Sequence, residues 1–562
     1  MKKNYRVLST ITAVTMVTGT LAGCGSSKYE TVATEAPATA TETSYDADYS
    51  YSNTKSYDYT AEATCDEAAT ECAGAYVEDA CETAAIDPYA NGYWRYVEPN
   101  TESYENYEEN GFNLVMSNPL STFAADVDTA SYSNVRRMIE NGYAINDINP
   151  DAVRVEEFLN YFSYDLNDPV GNEKFGFTSE VSECPWNEGH KIMFVGMKTK
   201  DVDLREAPDS NLVFLIDVSG SMDDDNKLPL LKKSFIELVD KLPEDGTISI
   251  VTYSGTEKVV LSGESMRNKD KIKDKIDGLE ADGCTNGERG IQKAYEIAKR
   301  YYIEGGNNRV IMATDGDLNV GISDPDELER FIEAKKDDGV FLSVLGFGMG
   351  NYKDDRLERL ADCGNGNYAY IDSMLEAKKV LVDEMGGTLL TVAKDVKLQV
   401  EFNPARVNSY RLIGYENRVM DDADFNDDTK DGGEIGAGHS VVALYEFIPS
   451  DSEQAIDLKY QDVEVKDTDS EYATLSVRFK EIDSNKSDIV SVPVDNTSYT
   501  ENPSQNLIFA SMVTEFAMIL KGSDNKGTSS LEDIMASYKK IESHDEYKDE
   551  FYQMVRMVAK RG

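Results

Sequence analysis

Between residues 211 and 385 the chain alternates unbroken apolar runs with stretches whose apolar residues recur at helical spacing. The run Asn211–Ile216 stops at Asp217, the pattern of a strand buried on both faces of a parallel sheet. Leu231, Phe235, Leu238, Val239 and Leu242 then mark one face of a helix over Leu228–Leu242. The same alternation predicts a strand at Thr247–Tyr253, an edge strand near Val259–Leu261 and a short helix within Lys269–Leu279. It continues with the helix Glu288–Ile303, the strand Arg309–Ala313, the helix Asp324–Lys336 and the strand Val340–Gly346. Tyr368–Ile371 and the helix Met374–Met385 close the series. Repeated strand–helix units imply a doubly wound, mostly parallel α/β sheet with helices on both faces.

Past residue 388 the helical period fades. Val396–Phe402, Tyr410–Ile413, Val441–Phe447, Val463–Val465 and Thr474–Phe479 read as strands between Gly, Asp and Asn clusters, and helices close the chain over about 505–522 and 530–560. Ahead of the alternating region the pattern is weaker, with helices expected at Thr129–Asn141 and Val153–Tyr161. Residues 1–23 have a basic start (Lys2, Lys3, Arg6) and an apolar, threonine-rich stretch, the layout of a secretory signal. Their ending, Leu21-Ala22-Gly23 before Cys24, resembles the bacterial lipobox, whose cysteine becomes the acylated mature N-terminus. Residues 25–110 are rich in Ala, Thr, Glu, Ser and Tyr. Such a segment cannot bury enough apolar surface to offset its chain entropy and reads as a spacer on the order of 50 Å long. Leu507–Leu520 is too short to span a bilayer and carries Glu515, so it is expected to be a buried helix.

Charge narrows the function. The 562 residues hold 104 acidic and 56 basic side chains, for a formal net charge of −48. A phosphate backbone would be repelled, so nucleic acid is excluded as a partner. Only three histidines occur, His190, His439 and His544, which leaves little for imidazole-based metal or triad chemistry. Besides Cys24, the cysteines are Cys65, Cys72, Cys81, Cys184, Cys284 and Cys363. No Cys-x-x-Cys spacing occurs, and their pairing does not follow from sequence.

Oxygen-bearing residues are concentrated at the predicted carboxyl ends of the strands, where ligands bind on such sheets. The first strand runs into Asp217-Val218-Ser219-Gly220-Ser221. Cys284-Thr285-Asn286-Gly287 precedes another helix, and Thr314-Asp315-Gly316 ends the strand Arg309–Ala313. Two serines, a threonine and two aspartates therefore converge from three loops. A hard divalent cation wants about six oxygens, and magnesium keeps several of them as water. Hydroxyls supply neutral oxygens to the metal while the aspartates orient them and the waters from behind. A cation so surrounded keeps much of its charge and can accept a carboxylate from outside.

Asp217, Ser219, Ser221, Thr285 and Asp315 together resemble the metal-ion-dependent adhesion site of von Willebrand factor type A domains. The likeness extends to Leu345-Gly346-Phe347-Gly348-Met349-Gly350, to Ser121–Tyr132 and to Tyr410–Arg418, which look like one bacterial subfamily of secreted or lipid-anchored proteins. In that subfamily an N-terminal region and a C-terminal domain of unknown function flank the A domain. The resemblance implies that the serines and the threonine contact Mg²⁺ or Mn²⁺ while the aspartates act through water. It also implies a protein partner that offers an Asp or Glu carboxylate. The expected organisation is a signal peptide (1–23), an acidic Tyr-rich tether (24–110), an N-terminal associated region (111–205), the A domain (206–387) and a strand-rich C-terminal domain with terminal helices (388–562). The expectation is a binding protein and not an enzyme, anchored through Cys24 to the cell membrane on its extracytoplasmic side.

Other features take plainer readings. Asp424–Glu434 has alternating acidic residues, but Thr429 and Ile435 stand where an EF-hand needs Gly and Glu, so a solvated acidic loop is expected. Asp126 and Asp128 are expected to cap the helix that follows them, and Asp223-Asp224-Asp225 to be solvated. Gly436–Ser440 lacks a G-x-S-x-G elbow. A metal-assisted envelope hydrolase and a scaffold with a purely structural metal are the alternatives to a binding module.

Overall fold

The computed structural model describes residues 102–561 except 126–127, 202–207, 284–286, 317–324, 350–353, 431, 457–469, 483 and 485. The expected signal segment, Cys24, most of the tether, Asp126, Thr285 and the strand Val463–Val465 lie outside the described residues.

Strands β1 (Asn113–Leu114) and β2 (Leu120–Ala124) lead to helices α1 (Ala130–Glu140) and α2 (Val155–Asn160) and to the hairpin of β3 (Phe175–Glu183) and β4 (Lys191–Thr199). The alternating region follows as β5 (Ser210–Asp217), α3 (Leu228–Lys241), β6 (Gly246–Tyr253), β7 (Glu257–Ser265), α4 (Lys269–Asp277), α5 (Gly287–Arg300) and β8 (Asn307–Thr314). It continues through α6 (Pro325–Asp337), β9 (Phe341–Phe347), α7 (Asp354–Cys363), β10 (Tyr368–Ile371), α8 (Met374–Lys378) and α9 (Met385–Leu389). The remainder is β11 (Thr391–Phe402), β12 (Val407–Ile413), β13 (Ile435–Gly436), β14 (Ser440–Pro449), β15 (Glu471–Lys480), β16 (Ser487–Asp495), α10 (Gln505–Lys521), α11 (Leu531–Tyr538) and α12 (Glu546–Arg561).

The alternating region forms a six-stranded sheet in the order β10-β9-β8-β5-β6-β7, parallel except for the edge strand β7. Successive β5 residues serve opposite faces. Leu212, Phe214 and Ile216 pack with Leu231, Phe235 and Ile272 from α3 and α4, and Val213 and Leu215 pack with Ile291 and Leu328 from α5 and α6. Both faces are apolar, hence the unbroken hydrophobic run. The expected helix Met374–Met385 is interrupted by a π-helical turn over Lys379–Asp383.

Segments 111–205 and 388–562, read from sequence as separate regions, build the same sheets. One sheet has the order β1-β12-β14-β4-β3, and a second joins β13, β11, β15 and β16, with β2 on β11. Every pairing in them is antiparallel. They share a core that includes Val195, Val400, Tyr445 and Val477. Helices α1, α2, α10, α11 and α12 cover Ile192, Phe194, Val442 and Leu444 on the other face of the first sheet. The buried α10 matches the expectation for Leu507–Leu520, and no helix among the described residues is long and apolar enough to cross a membrane.

Two expectations need correction here. The expected tether runs to residue 110, but Glu102 pairs with Arg137 at 2.8 Å and Asn110 donates to the Gly414 carbonyl at 2.8 Å. Residues 102–110 therefore already contact the folded part, through single side chains that find polar partners. Asp128 does not cap α1: its oxygens accept from Tyr368 N and Arg418 at 3.1 and 3.2 Å. The α1 amide of Ser131 is instead taken by Glu157 at 2.8 Å, a partner 26 residues away.

Three arginines, two of them buried, stitch the α/β unit to the rest. Arg136 of α1 bonds Asp372, Glu376 and Glu550, and Arg154 bonds Glu157, Asp354 and Glu358. Arg418 bonds Asp128, Glu358 and Asp362.

Candidate metal centre

β5 lies at the centre of the parallel sheet, where connections leave toward β6 on one side and arrive at β8 on the other. The carboxyl ends of β5 and β8 thus flank the crevice in which ligands bind on doubly wound sheets. Asp217 is the last residue of β5, and Asp315 follows β8. Val218 N donates to Tyr253 O at 3.0 Å, which keeps the loop in register with β6 before it leaves the sheet.

The Asp217 carboxylate is buried. Its Oδ1 accepts from Ser219 N at 2.9 Å and its Oδ2 from Thr314 Oγ1 at 3.2 Å. Burial pushes Asp217 up to about 6, against the pull of these hydrogen bonds. The amide bond folds the loop back so that Ser219 Oγ and Ser221 Oγ stand 3.0 Å apart, Ser219 buried and Ser221 exposed. The loop makes one 3-10 turn, Gly220–Asp223, before α3 begins at Leu228. Asp223, Asp224 and Asp225 are exposed, as expected.

Thr285 lies outside the described residues, but the loop that carries it is tied to the serine loop. Gly220 N donates to Gly283 O at 3.0 Å and Asp282 N to Val218 O at 2.8 Å. The structure therefore brings Asp217, Ser219, Ser221 and Asp315 to one end of the sheet, with the Gly283 flank of the third loop beside them.

Sequence reasoning missed Lys227. Its ammonium donates to Asp315 Oδ2 at 3.1 Å and to the Ser221 carbonyl at 2.8 Å, and the side chain is largely buried. Its stem passes over Gly348, where φ is +80° and a Cβ would collide with Lys227 Cε. In sequence this lysine only ends an acidic run, and nothing local says that it turns inward.

The donor set suits a hard cation: hydroxyl and carboxylate oxygens at one strand end, with no cluster of three His, Cys, Asp or Glu among the described residues. Ser219, Ser221 and Thr285 would hold such an ion, with Asp217 and Asp315 behind them. The three histidines stand elsewhere. His190 bonds Glu446 at 2.5 Å, His544 bonds Tyr538 at 3.1 Å, and His439 lines a cavity next to the β-sandwich. The acidic loop Asp424–Glu434 is less solvated than expected. Asp428 is held down to about 2 by hydrogen bonds from Ser487 and Arg478, so the loop is pinned to β15 and β16.

The parallel sheet and its D-x-S-x-S loop define a von Willebrand factor type A domain, and the family described as "von Willebrand factor type A domain" matches residues 211–383. "Von Willebrand factor" matches residues 98–194, and "Uncharacterized protein YfbK, C-terminal" matches residues 387–560. "Uncharacterized protein YfbK" of Escherichia coli (strain K12) is 41% identical over 473 residues, covering 82% of this chain and 81% of that protein. The chain belongs to the YfbK family of von Willebrand factor type A proteins. "Uncharacterized protein sll0103" of Synechocystis sp. is 30% identical over 194 residues, 34% of this chain and 44% of that one. Among solved structures, "von Willebrand factor type A from Catenulispora acidiphila" is 15% identical with a TM-score of 0.37, covering 70% of this chain and 91% of that one.

Proposed function

We propose that this protein is an extracytoplasmic, lipid-anchored binding protein whose A domain holds Mg²⁺ or Mn²⁺ at Asp217, Ser219, Ser221, Thr285 and Asp315. An acidic side chain of a protein partner completes the coordination. The observation that carries the reading is the pair of serine hydroxyls 3.0 Å apart in front of two buried aspartates at the strand ends. Neutral oxygens leave the cation electrophilic, so a carboxylate arriving from outside gains more than it would at a site already neutralised by acidic ligands. The ion supplies charge and a coordination position. The chain supplies orientation, since Asp217 fixes Ser219 through its amide, and Lys227 pairs with Asp315 where the ion would draw on it.

Membership in the YfbK family supports the domain assignment, while the anchor at Cys24 and the spacer rest on the sequence pattern. His190 bonds Glu446, His544 bonds Tyr538 and His439 lines a cavity with Thr391 and Gly436, so no partner of theirs belongs to this loop, which favours binding over hydrolysis. Calorimetric titration of Mg²⁺ and Mn²⁺ into the protein tests the first step. The wild type binds one ion and the Ser219→Ala/Ser221→Ala variant binds at least about tenfold more weakly. Equal affinities remove the basis for this reading. Capture from envelope extracts with and without Mg²⁺ then tests whether a partner depends on the ion.

A further inference from the structure

The first loop of the metal centre leans on β6. Asp217 stands opposite Tyr253 in the parallel register of β5 and β6, and Val218 N donates to the Tyr253 carbonyl at 3.0 Å. The Tyr253 side chain is fully buried and belongs to the core under α5, with Leu215, Val251, Ile291 and Ala294. Gly290, in the first turn of α5, makes room for it: a Cβ there would lie 2.8 Å from Tyr253 Cβ. The ring is thus wedged between the strand end that carries Asp217 and the helix that follows the Thr285 loop. Packed this closely, it cannot swing its hydroxyl toward a partner.

The hydroxyl at the tip of that ring stands unpaired. Asp217 and Thr314 are its polar neighbours, but it meets neither in hydrogen-bonding geometry and has no other partner among the described residues. A buried hydroxyl left without a bond costs free energy, and such a group in a native fold calls for an explanation. Thr314 is already engaged: its Oγ1 donates to Asp217 Oδ2 and accepts from Gly316 N, each at 3.2 Å. Asp217 has room to accept more. Its oxygens take Ser219 N and Thr314 Oγ1, whereas an ionised carboxylate offers about four acceptor positions.

We infer that Tyr253 is a positioning residue of the metal centre, whose hydroxyl donates to the Asp217 carboxylate once the site is loaded. The inference rests on the metal reading proposed above. Asp217 is the movable half of the pair, since its carboxylate can turn while the tyrosine ring is wedged. With a divalent charge in front of it, the carboxylate reorients, and a small turn brings an oxygen into line with the fixed hydroxyl. The bond so formed is charge-assisted and commits Asp217 to the protein side of the site. Ser219, Ser221 and Thr285 then remain the ligands that face the ion, and a position stays open for the carboxylate of the partner.

Tyr253→Phe keeps the ring and removes only the hydroxyl, and two readouts in the full chain test the role. The hydroxyl is unpaired without the ion, so the metal-free variant unfolds at the wild-type temperature or above it. Calorimetry nevertheless shows the variant binding Mg²⁺ and Mn²⁺ about tenfold more weakly. A tyrosine that merely fills the core leaves the affinity unchanged. In the unaltered protein, Mg²⁺, which has no absorption of its own, produces a near-ultraviolet tyrosine difference spectrum that Tyr253→Phe lacks. Equal affinities, a metal-free variant less stable than the wild type, or Mg²⁺ binding by the wild type without a tyrosine signal each overturns the role of Tyr253 and leaves the metal reading standing. A wild type that binds neither ion overturns both.

Discussion

Lys227 makes the metal reading quantitative. Its Nζ lies 3.1 Å from Asp315 Oδ2, with side-chain exposures of 10% and 4%. At an effective dielectric of about 20 the attraction is on the order of 5 kcal/mol. After the desolvation of both groups its net worth is about 1–3 kcal/mol. A divalent cation that uses Asp315 competes with this ammonium, so the ion pair is a built-in brake on metal affinity. Lys227→Met keeps most of the apolar stem against Gly348 and removes the charge. The metal-free variant loses about 1–3 kcal/mol of stability, and its affinity for Mg²⁺ or Mn²⁺ rises about tenfold to a hundredfold as the ion takes over the role of the lysine. Calorimetry after dialysis against EDTA reads the affinity, and thermal unfolding with and without saturating Mn²⁺ reads the stability. Equal or weaker metal binding by the variant refutes the competition and makes Lys227 a strut that holds Asp315 in place.

Three further outcomes follow from the packing. Arg136→Met leaves the buried Asp372 and Glu376 without their shared guanidinium and lowers stability by about 3–5 kcal/mol, measured by denaturant unfolding; a loss below about 1 kcal/mol contradicts the stitching role. Burial pushes Glu515 in α10 up to about 7 from an ordinary 4.5. Its folded state holds the proton longer than the unfolded one, so stability is highest below about pH 4.5 and falls by about 3 kcal/mol as pH rises through 7. Glu515→Gln removes that slope, and a variant with the wild-type pH profile shows that Glu515 does not cause it. Gly348→Ala introduces a Cβ at positive φ against the Lys227 stem and lowers the thermal stability by at least about 1 kcal/mol, whereas a neutral substitution shows that the loop yields freely.

Much of the α/β unit is legible in the chain because each of its elements is a local matter. A strand buried on both faces must be apolar throughout, as in Asn211–Ile216. A helix on that sheet must repeat its apolar residues every three or four positions, as Leu231, Phe235 and Leu238 do. The side chains of the D-x-S-x-S loop are legible for the same reason, since the hydrogen bond from Ser219 N to Asp217 spans two residues. Tertiary structure decided the rest. Strand pairing is non-local, so nothing near Leu120–Ala124 or Lys191–Thr199 announces that they will pair with β11 and β14 more than 240 residues later. A buried charge, likewise, is tolerated only where distant groups meet it, and the folded chain alone settles whether they do. Lys227 turns inward because Asp315, 88 residues on, receives it, and Arg136 is tolerated because Asp372 and Glu376, more than 230 residues on, meet it.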